Sequence, residues 1–209
     1  MAAHLDEQQE LDNFKHFWKG WGRWLFALLV AGGLAYLGHA WYQSHLEDKN
    51  KEAAALLAQM VDKAQTSTDP KALNADLQNL QQNYPASIAT GQATFMAAAA
   101  EFDKGNYPAA IAHYNWILSN QKDAFVQALA VQRLAVTQLQ QKQFDQALKT
   151  LETSVDPAFN ALIQETKGDV LAAQGKPKEA LAAYEAALNA TAKNANTREL
   201  LEMKIQQLK

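Results

Sequence analysis

GNYPAAIAHY at residues 105–114 decides the fold, because its pattern returns twice further down the chain. KQFDQALKTL at 142–151 and GKPKEALAAY at 175–184 align with it position for position. The shared alanines, Ala110, Ala147 and Ala180, are 37 and then 33 residues apart. Seven residues before each turn stands another small residue: Ala98, Ala135 and Gly168, again 37 and 33 apart. Apolar residues around these anchors recur at helical spacing, and runs of β-branched residues are absent. Each unit therefore predicts two helices joined by a tight turn. A small residue on each helix permits close crossing, and glycine suits the permissive backbone of the turn. The large residue after the turn (Tyr107, Phe144) fills the gap between the helices. The apolar residues following Ala110, Ala147 and Ala180 face the neighbouring pair.

These residues resemble the tetratricopeptide repeat, a helix–turn–helix of about 34 residues. One pair cannot bury its apolar face alone, so the pairs are expected to stack into an all-α superhelix. Upstream, Leu56, Leu57, Met60, Val61 and Ala64 form one helical face. Asp69 as cap and Pro70 at the first position predict the start of the next helix. Leu73, Leu77 and Leu80 are its stripe, Asn83-Tyr84-Pro85 ends it, and residues 71–84 read as a degenerate first unit. At the other end Leu200, Leu201, Met203, Ile205 and Leu208 predict a closing helix, with Thr197 as its cap.

The opposite extreme of the chain is apolar. WLFALLVAGGLAYLGHAW, Trp24 to Trp41, holds eighteen residues without Asp, Glu, Lys or Arg. At about 1.5 Å per residue such a run approaches the roughly 30 Å of a bilayer core. Trp21 and Trp24 at one end and Trp41 and Tyr42 at the other suit the two bilayer–water boundaries. Gly38-His39-Ala40 offers small residues for signal cleavage. The long acidic leader, the length of the run and its aromatic exit favour an uncleaved anchor instead. Lys15, Lys19 and Arg23 precede the run, and Lys49 and Lys51 follow more distantly, so the N-terminus is expected in the cytoplasm. Ala27, Ala31, Ala35 and Gly38 share one stripe on which another membrane helix could pack. The expected organisation is a leader with a short amphipathic helix at 1–20, a transmembrane helix at 21–42 and a repeat domain at 43–209.

Bulk composition narrows the function classes. The 209 residues carry 19 Lys and Arg, 22 Asp and Glu, and a net charge of −3. No basic cluster is present to displace phosphate counterions, so no nucleic-acid partner is expected. With no cysteine, zinc fingers, iron–sulfur clusters, thiol catalysis and disulfides are excluded. None of the five histidines has a His or Glu partner at i,i+4 to suggest a metal, and no glycine-rich phosphate loop occurs outside the apolar run. His39 sits near the exit of that run, where solvation at the interface is the plain reading. No catalytic cluster is recognisable, and neither cofactor nor metal is expected. Glu165 and Asp169 are one helical turn apart, and with Lys167 beside them they read as a solvated stripe. Trp116 fits inter-helix packing better than a groove wall. On the repeat phasing, the first helices present Gln92, Phe95, Gln132, Val136, Glu165 and Asp169 along the concave surface. That mixture suits an extended or a helical peptide.

The leader reading Asp12-Asn13-Phe14-Lys15-His16-Phe17-Trp18-Lys19, the single anchor, the degenerate repeats and the ending Glu202-Met203-Lys204-Ile205-Gln206-Gln207-Leu208 together resemble the YfgM family of bacteria. The resemblance covers essentially the whole chain and is sharpest in the leader and the last helix. It implies a single-pass inner-membrane protein with a periplasmic domain, ancillary to the SecYEG translocon. It also implies cooperation with a membrane-anchored periplasmic chaperone of the prolyl-isomerase type, and contact with secreted polypeptides. The family has no catalytic signature to carry over. Two other readings remain: a general envelope assembly scaffold, and a regulatory adaptor acting through the leader stripe Leu11, Phe14 and Trp18.

Overall fold

The computed structural model describes Lys15 and residues 18–66, 70–192 and 196–208. The leader stripe at Leu11 and Phe14, His4 and His16, and the expected cap Asp69 lie outside these residues. Every regular element among the described residues is helical. The chain divides into two compact units, Met1–Lys49 and Asn50–Lys209.

In the first unit a π-helical turn at Trp18–Gly22 leads into α1, Arg23–Thr66. This helix is long and apolar enough to cross a membrane, and its apolar window is not buried within the protein. Trp21, Trp24, Trp41 and Tyr42 are all exposed, as rings meant for a bilayer boundary must be. The small-residue stripe is equally bare: Ala27, Ala31, Ala35 and Gly38 are all exposed, and a methyl group added at Gly38 would touch nothing within 4 Å.

In the second unit the end of α1 pairs with α2, Pro70–Asn83. Ala53 and Met60 of α1 bury against Leu77 and Leu80 of α2, with Leu56, Leu57 and Leu73 packed around them. Ala64, expected on this face, is exposed. Lys63 binds Asp76 at 2.7 Å across the pair. Three helix pairs follow: α3 (Ile88–Asp103) with α4 (Tyr107–Asn120), α5 (Ala124–Gln140) with α6 (Phe144–Thr150), and α7 (Asn160–Ala173) with α8 (Pro177–Ala190). The repeat is thus real in three dimensions, and its small residues sit where predicted. Ala98, Ala110, Ala135, Ala147 and Ala180 are completely buried.

The three intra-pair turns share one hydrogen-bond pattern. Asn106, Gln143 and Lys176 donate their backbone N–H to the carbonyls of Glu101, Gln138 and Leu171. Gly105, Lys142 and Gly175 donate to Phe102, Leu139 and Ala172. Such a helix stop requires a left-handed residue at the second position. Gly105 and Gly175 supply it with φ of 76° and 80°, but in the middle unit Lys142 holds φ of 59°. A side chain there costs energy that glycine avoids.

The closing helix α9 spans Thr197–Gln207. Asn196, not Thr197, stands at the cap position, and Thr197 is the first helical residue. Leu201 and Ile205 are buried on α8 and Leu208 packs beside them, one stripe at i, i+4 and i+7. Leu200 and Met203 fall on the opposite face and are exposed. Arg198 ties the helix down by donating to the carbonyls of Leu188 at 2.9 Å and Thr191 at 3.2 Å.

Candidate functional site

A groove of about 740 Å³ opens in the second unit along the first helices of successive pairs. Helix α3 contributes Gln92, Phe95, Met96, Ala99, Phe102 and Asp103, and α5 contributes Leu129, Arg133, Val136 and Thr137. Leu57 and Val61 of α1 form a further wall, and Tyr114 of α4 is part of the base. The lining follows from helical periodicity. Residues 92, 95, 96, 99, 102 and 103 recur at three and four residues, which keeps them on one face of α3. Opposite that face, Ala93 and Ala98 turn inward and are fully buried.

Most of the lining is apolar. Phe95 and Tyr114 meet with ring centroids 6.1 Å apart, and both pack on the cluster that contains Ile117, Ala130 and Leu134. Tyr114 is 3% exposed. Burial raises the pKa of its phenol, while Arg133 lowers it and Asp103 raises it. Its hydroxyl makes no hydrogen bond to another described residue. Thr137, also in the lining, spends its hydroxyl on the Arg133 carbonyl at 2.8 Å.

The six residues expected on the concave surface separate into two sets. Gln92, Phe95 and Val136 come together in the groove. Gln132 lies next to it on α5, partly buried, with its side-chain oxygen enclosed and unpartnered. Glu165 and Asp169, on α7, belong elsewhere. Lys204 of α9 binds Glu165 at 2.8 Å and Asp169 at 2.7 Å. The Tyr184 hydroxyl donates to Asp169 at 2.8 Å, and the Lys204 ammonium lies 5.4 Å from the Tyr184 ring centroid. The solvated stripe expected from the sequence is instead a half-buried charge cluster that latches the closing helix. Burial works against the charge on Lys204, but hydrogen bonds to Asp169 and Glu165 outweigh it and raise its pKa. Burial and the bond to Asp169 likewise raise the pKa of the Tyr184 phenol.

Beneath that cluster the packing has no slack. A methyl group at Gly168 would lie 2.4 Å from two carbons of the Tyr184 ring. Trp116 packs on the core around Ile117 rather than lining the groove. Helix phasing could have found Met96, Phe102 and Arg133, which lie on the faces already marked by Phe95 and Val136. Leu57 and Val61 carried no such signal, since only the folded chain brings them to α3. Among the described residues no group of His, Asp and Glu is arranged to hold a metal ion.

Comparison with known proteins places these features in context. Residues 15–209 match the tetratricopeptide repeat-like domain family. The chain is 55% identical, over the full length of both proteins, to an ancillary SecYEG translocon subunit of Neisseria gonorrhoeae (strain ATCC 700825 / FA 1090). It is 27% identical to the protein of that name in Haemophilus influenzae (strain ATCC 51907 / DSM 11121 / KW20 / Rd), over 90% of this chain and 91% of the relative. With the Escherichia coli (strain K12) protein of the same name it shares 27% identity over 100% of this chain and 99% of the relative.

Proposed function

This chain belongs to the YfgM family of tetratricopeptide repeat-like proteins, and from that membership we propose that it is a membrane-anchored, non-enzymatic adaptor ancillary to the SecYEG translocon. The single observation that carries the adaptor role is the groove. It presents a mostly apolar lining of Phe95, Met96, Leu129 and Val136 to solvent, on helices whose opposite faces are fixed in the core.

One N-terminal apolar helix fits a single-pass protein of the inner membrane. In this reading Lys15, Lys19 and Arg23 ahead of it keep the N-terminus in the cytoplasm, with residues 43–209 in the periplasm. There the groove would meet polypeptides leaving the translocon and help hand them to a membrane-anchored chaperone of the prolyl-isomerase type. The uncovered stripe Ala27, Ala31, Ala35 and Gly38 supports an anchor that packs on a membrane partner.

The test compares the full-length chain with residues 43–209, each purified from native membranes with its co-purifying proteins identified. Translocon components are expected with the full-length chain and lost from the truncated form. Photo-crosslinkers at Phe95 and Gln132 are expected to capture secreted chains or the chaperone. Capture of unrelated envelope proteins, with neither translocon nor secreted chains, would replace this reading with a general assembly scaffold.

A further inference from the structure

We propose that the groove holds a seat for one carboxylate, taking an aspartate or glutamate side chain flanked by apolar residues of a polypeptide and holding it between the Arg133 guanidinium and the Tyr114 hydroxyl. The proposal deepens the adaptor reading and rests on it.

The last repeat shows the same seat when it is filled. There Asp169 accepts from the Tyr184 hydroxyl at 2.8 Å and from the Lys204 ammonium at 2.7 Å. The first repeat has the same two kinds of donor in the same register. Tyr114 and Tyr184 each stand four residues after their shared alanine, Ala110 and Ala180. Ala130 and Leu134 of the following helix pack in the cluster of Tyr114, as Leu201 and Ile205 pack in the cluster of Tyr184. Arg133 stands three residues after Ala130, and Lys204 three after Leu201. Helical periodicity therefore brings each cation to its tyrosine from the same face. What differs is the acid. Counted from Ala98 and Gly168, Phe95 and Ala99 stand where the last repeat has Glu165 and Asp169. Neither the Arg133 guanidinium nor the Tyr114 hydroxyl has a hydrogen-bond or ion-pair partner among the described residues. In the middle unit Leu151 takes the tyrosine position, so no hydroxyl is offered there.

The chemistry of the lining agrees. A tyrosine as buried as Tyr114 ordinarily has a partner for its hydroxyl. Burial raises its pKa, and against that the charge of Arg133 lowers it by more than Asp103 raises it, so the cation reaches the phenol more strongly than the acid does. Asp103 lies one turn beyond Ala99 in the same lining and is not paired with Arg133. A guanidinium can only donate, and a phenol beside it completes its set with a charged acceptor. Ala99 leaves free the space that the carboxyl of Asp169 fills in the last repeat. Phe95, Met96 and Val136 around the donors call for apolar residues on either side of the acid.

The test uses the full chain in lipid nanodiscs and fluorescence anisotropy with labelled peptides. One is Leu-Phe-Asp-Leu-Val between Gly-Ser flanks, with a blocked C-terminus; the second has Asn for Asp. The Asp peptide is expected to bind at least about tenfold more tightly, since two charge-assisted hydrogen bonds depend on the carboxylate. Arg133→Gln and Tyr114→Phe should each reduce that preference to less than about threefold. Arg133 is exposed and the Tyr114 hydroxyl bonds to nothing, so both variants should keep their helical circular dichroism. Ala99→Asp puts the chain's own acid in the seat and is expected to reverse the preference in favour of the Asn peptide. Met203→Glu, on exposed α9 surface away from the groove, should leave the preference within about twofold, because a screened distant charge acts weakly.

Equal binding of the two peptides, or binding of neither, would overturn the carboxylate seat. A preference that survives both Arg133→Gln and Tyr114→Phe would place it elsewhere and overturn the assignment. A third peptide carries Asn and a free C-terminus directly after Val; if it binds as tightly as the Asp peptide, a chain end rather than a side chain is the occupant, and the proposal fails. Each of these results leaves the adaptor reading intact. Loss of translocon components from the full-length purification would count against that reading itself, whichever peptide binds.

Discussion

Two ends of one repeat array place different residues at the same two register positions, and the difference decides which end is open. In the unit built on Ala98 those positions are Phe95 and Ala99, and both line the groove. In the unit built on Gly168 they are Glu165 and Asp169, and both are taken by Lys204. The tyrosines four residues after Ala110 and Ala180 tell the same story. Tyr114 and Tyr184 are 3% and 4% exposed. Tyr184 has spent its hydroxyl on Asp169, whereas the Tyr114 hydroxyl in the groove lining makes no hydrogen bond among the described residues. An apolar pair on a first helix leaves a surface seeking cover, while an acidic pair recruits a lysine and is closed from within the chain.

The sharpest way to break this comparison is to exchange the small residues beneath the two tyrosines. Gly168→Ala drives a methyl into the Tyr184 ring and is expected to destabilise the domain by about 3 kcal/mol, the upper part of the usual range for overpacking. Chemical denaturation would read this, and an effect below about 1 kcal/mol would mean that the ring can step aside. The reciprocal change, Ala98→Gly, should cost less, about 2 kcal/mol, from helix propensity and one lost methyl.

Lys204→Met keeps much of the stem but leaves two half-buried carboxylates uncompensated. It should cost about 2 kcal/mol, measurable by the same denaturation and accompanied by faster hydrogen exchange in α9. The pH dependence follows from the same cluster. Lys204 has a raised folded pKa, so its contribution is complete below the unfolded value of about 10.4 and fades as pH rises through the folded one. Tyr184, also raised, contributes while its phenol stays protonated and loses that contribution in the same alkaline direction. Tm should hold steady to about pH 9 and fall above about pH 10, and Lys204→Met should flatten that fall. The smallest effect has the opposite sign. Lys142→Gly relieves a left-handed side chain and should stabilise the domain by about 0.5–1 kcal/mol, a rise in Tm that would bring the middle turn into line with Gly105 and Gly175.

Much of this architecture was legible because it depends on local rules. The alternation of small and large residues named the helix pairs, since a helix crossing can be seen in sequence as Ala98, Ala135, Gly168 and their partners. The long apolar helix α1 was legible for the same reason, as length and composition alone mark it as able to cross a membrane. The site was half legible. Phasing put Gln92, Phe95 and Val136 on the surface that forms the groove, because α3 and α5 keep their periodicity to the end. Glu165 and Asp169 were misread as solvated because their partner stands 35 or more residues away, and nothing local to α7 announces Lys204. Leu57 and Val61 were recognised as helical face but not as groove wall for a similar reason. Thr197 misled as a cap because cap preference is strong and the boundary fell one residue earlier, at Asn196.

The shortest helix of the array, α6, has only seven residues, yet its Leu148 belongs to two apolar clusters at once. Leu118 of α4 is likewise shared between the cluster of its own pair and the next. Neighbouring units are thus joined by individual shared side chains rather than by one common core. Couplings in series behave like a line of dominoes: the array holds together only as firmly as its weakest join. Damage at Leu148 would therefore reach further than damage at an equally buried leucine inside one pair, because it would uncouple two repeats that each remain folded.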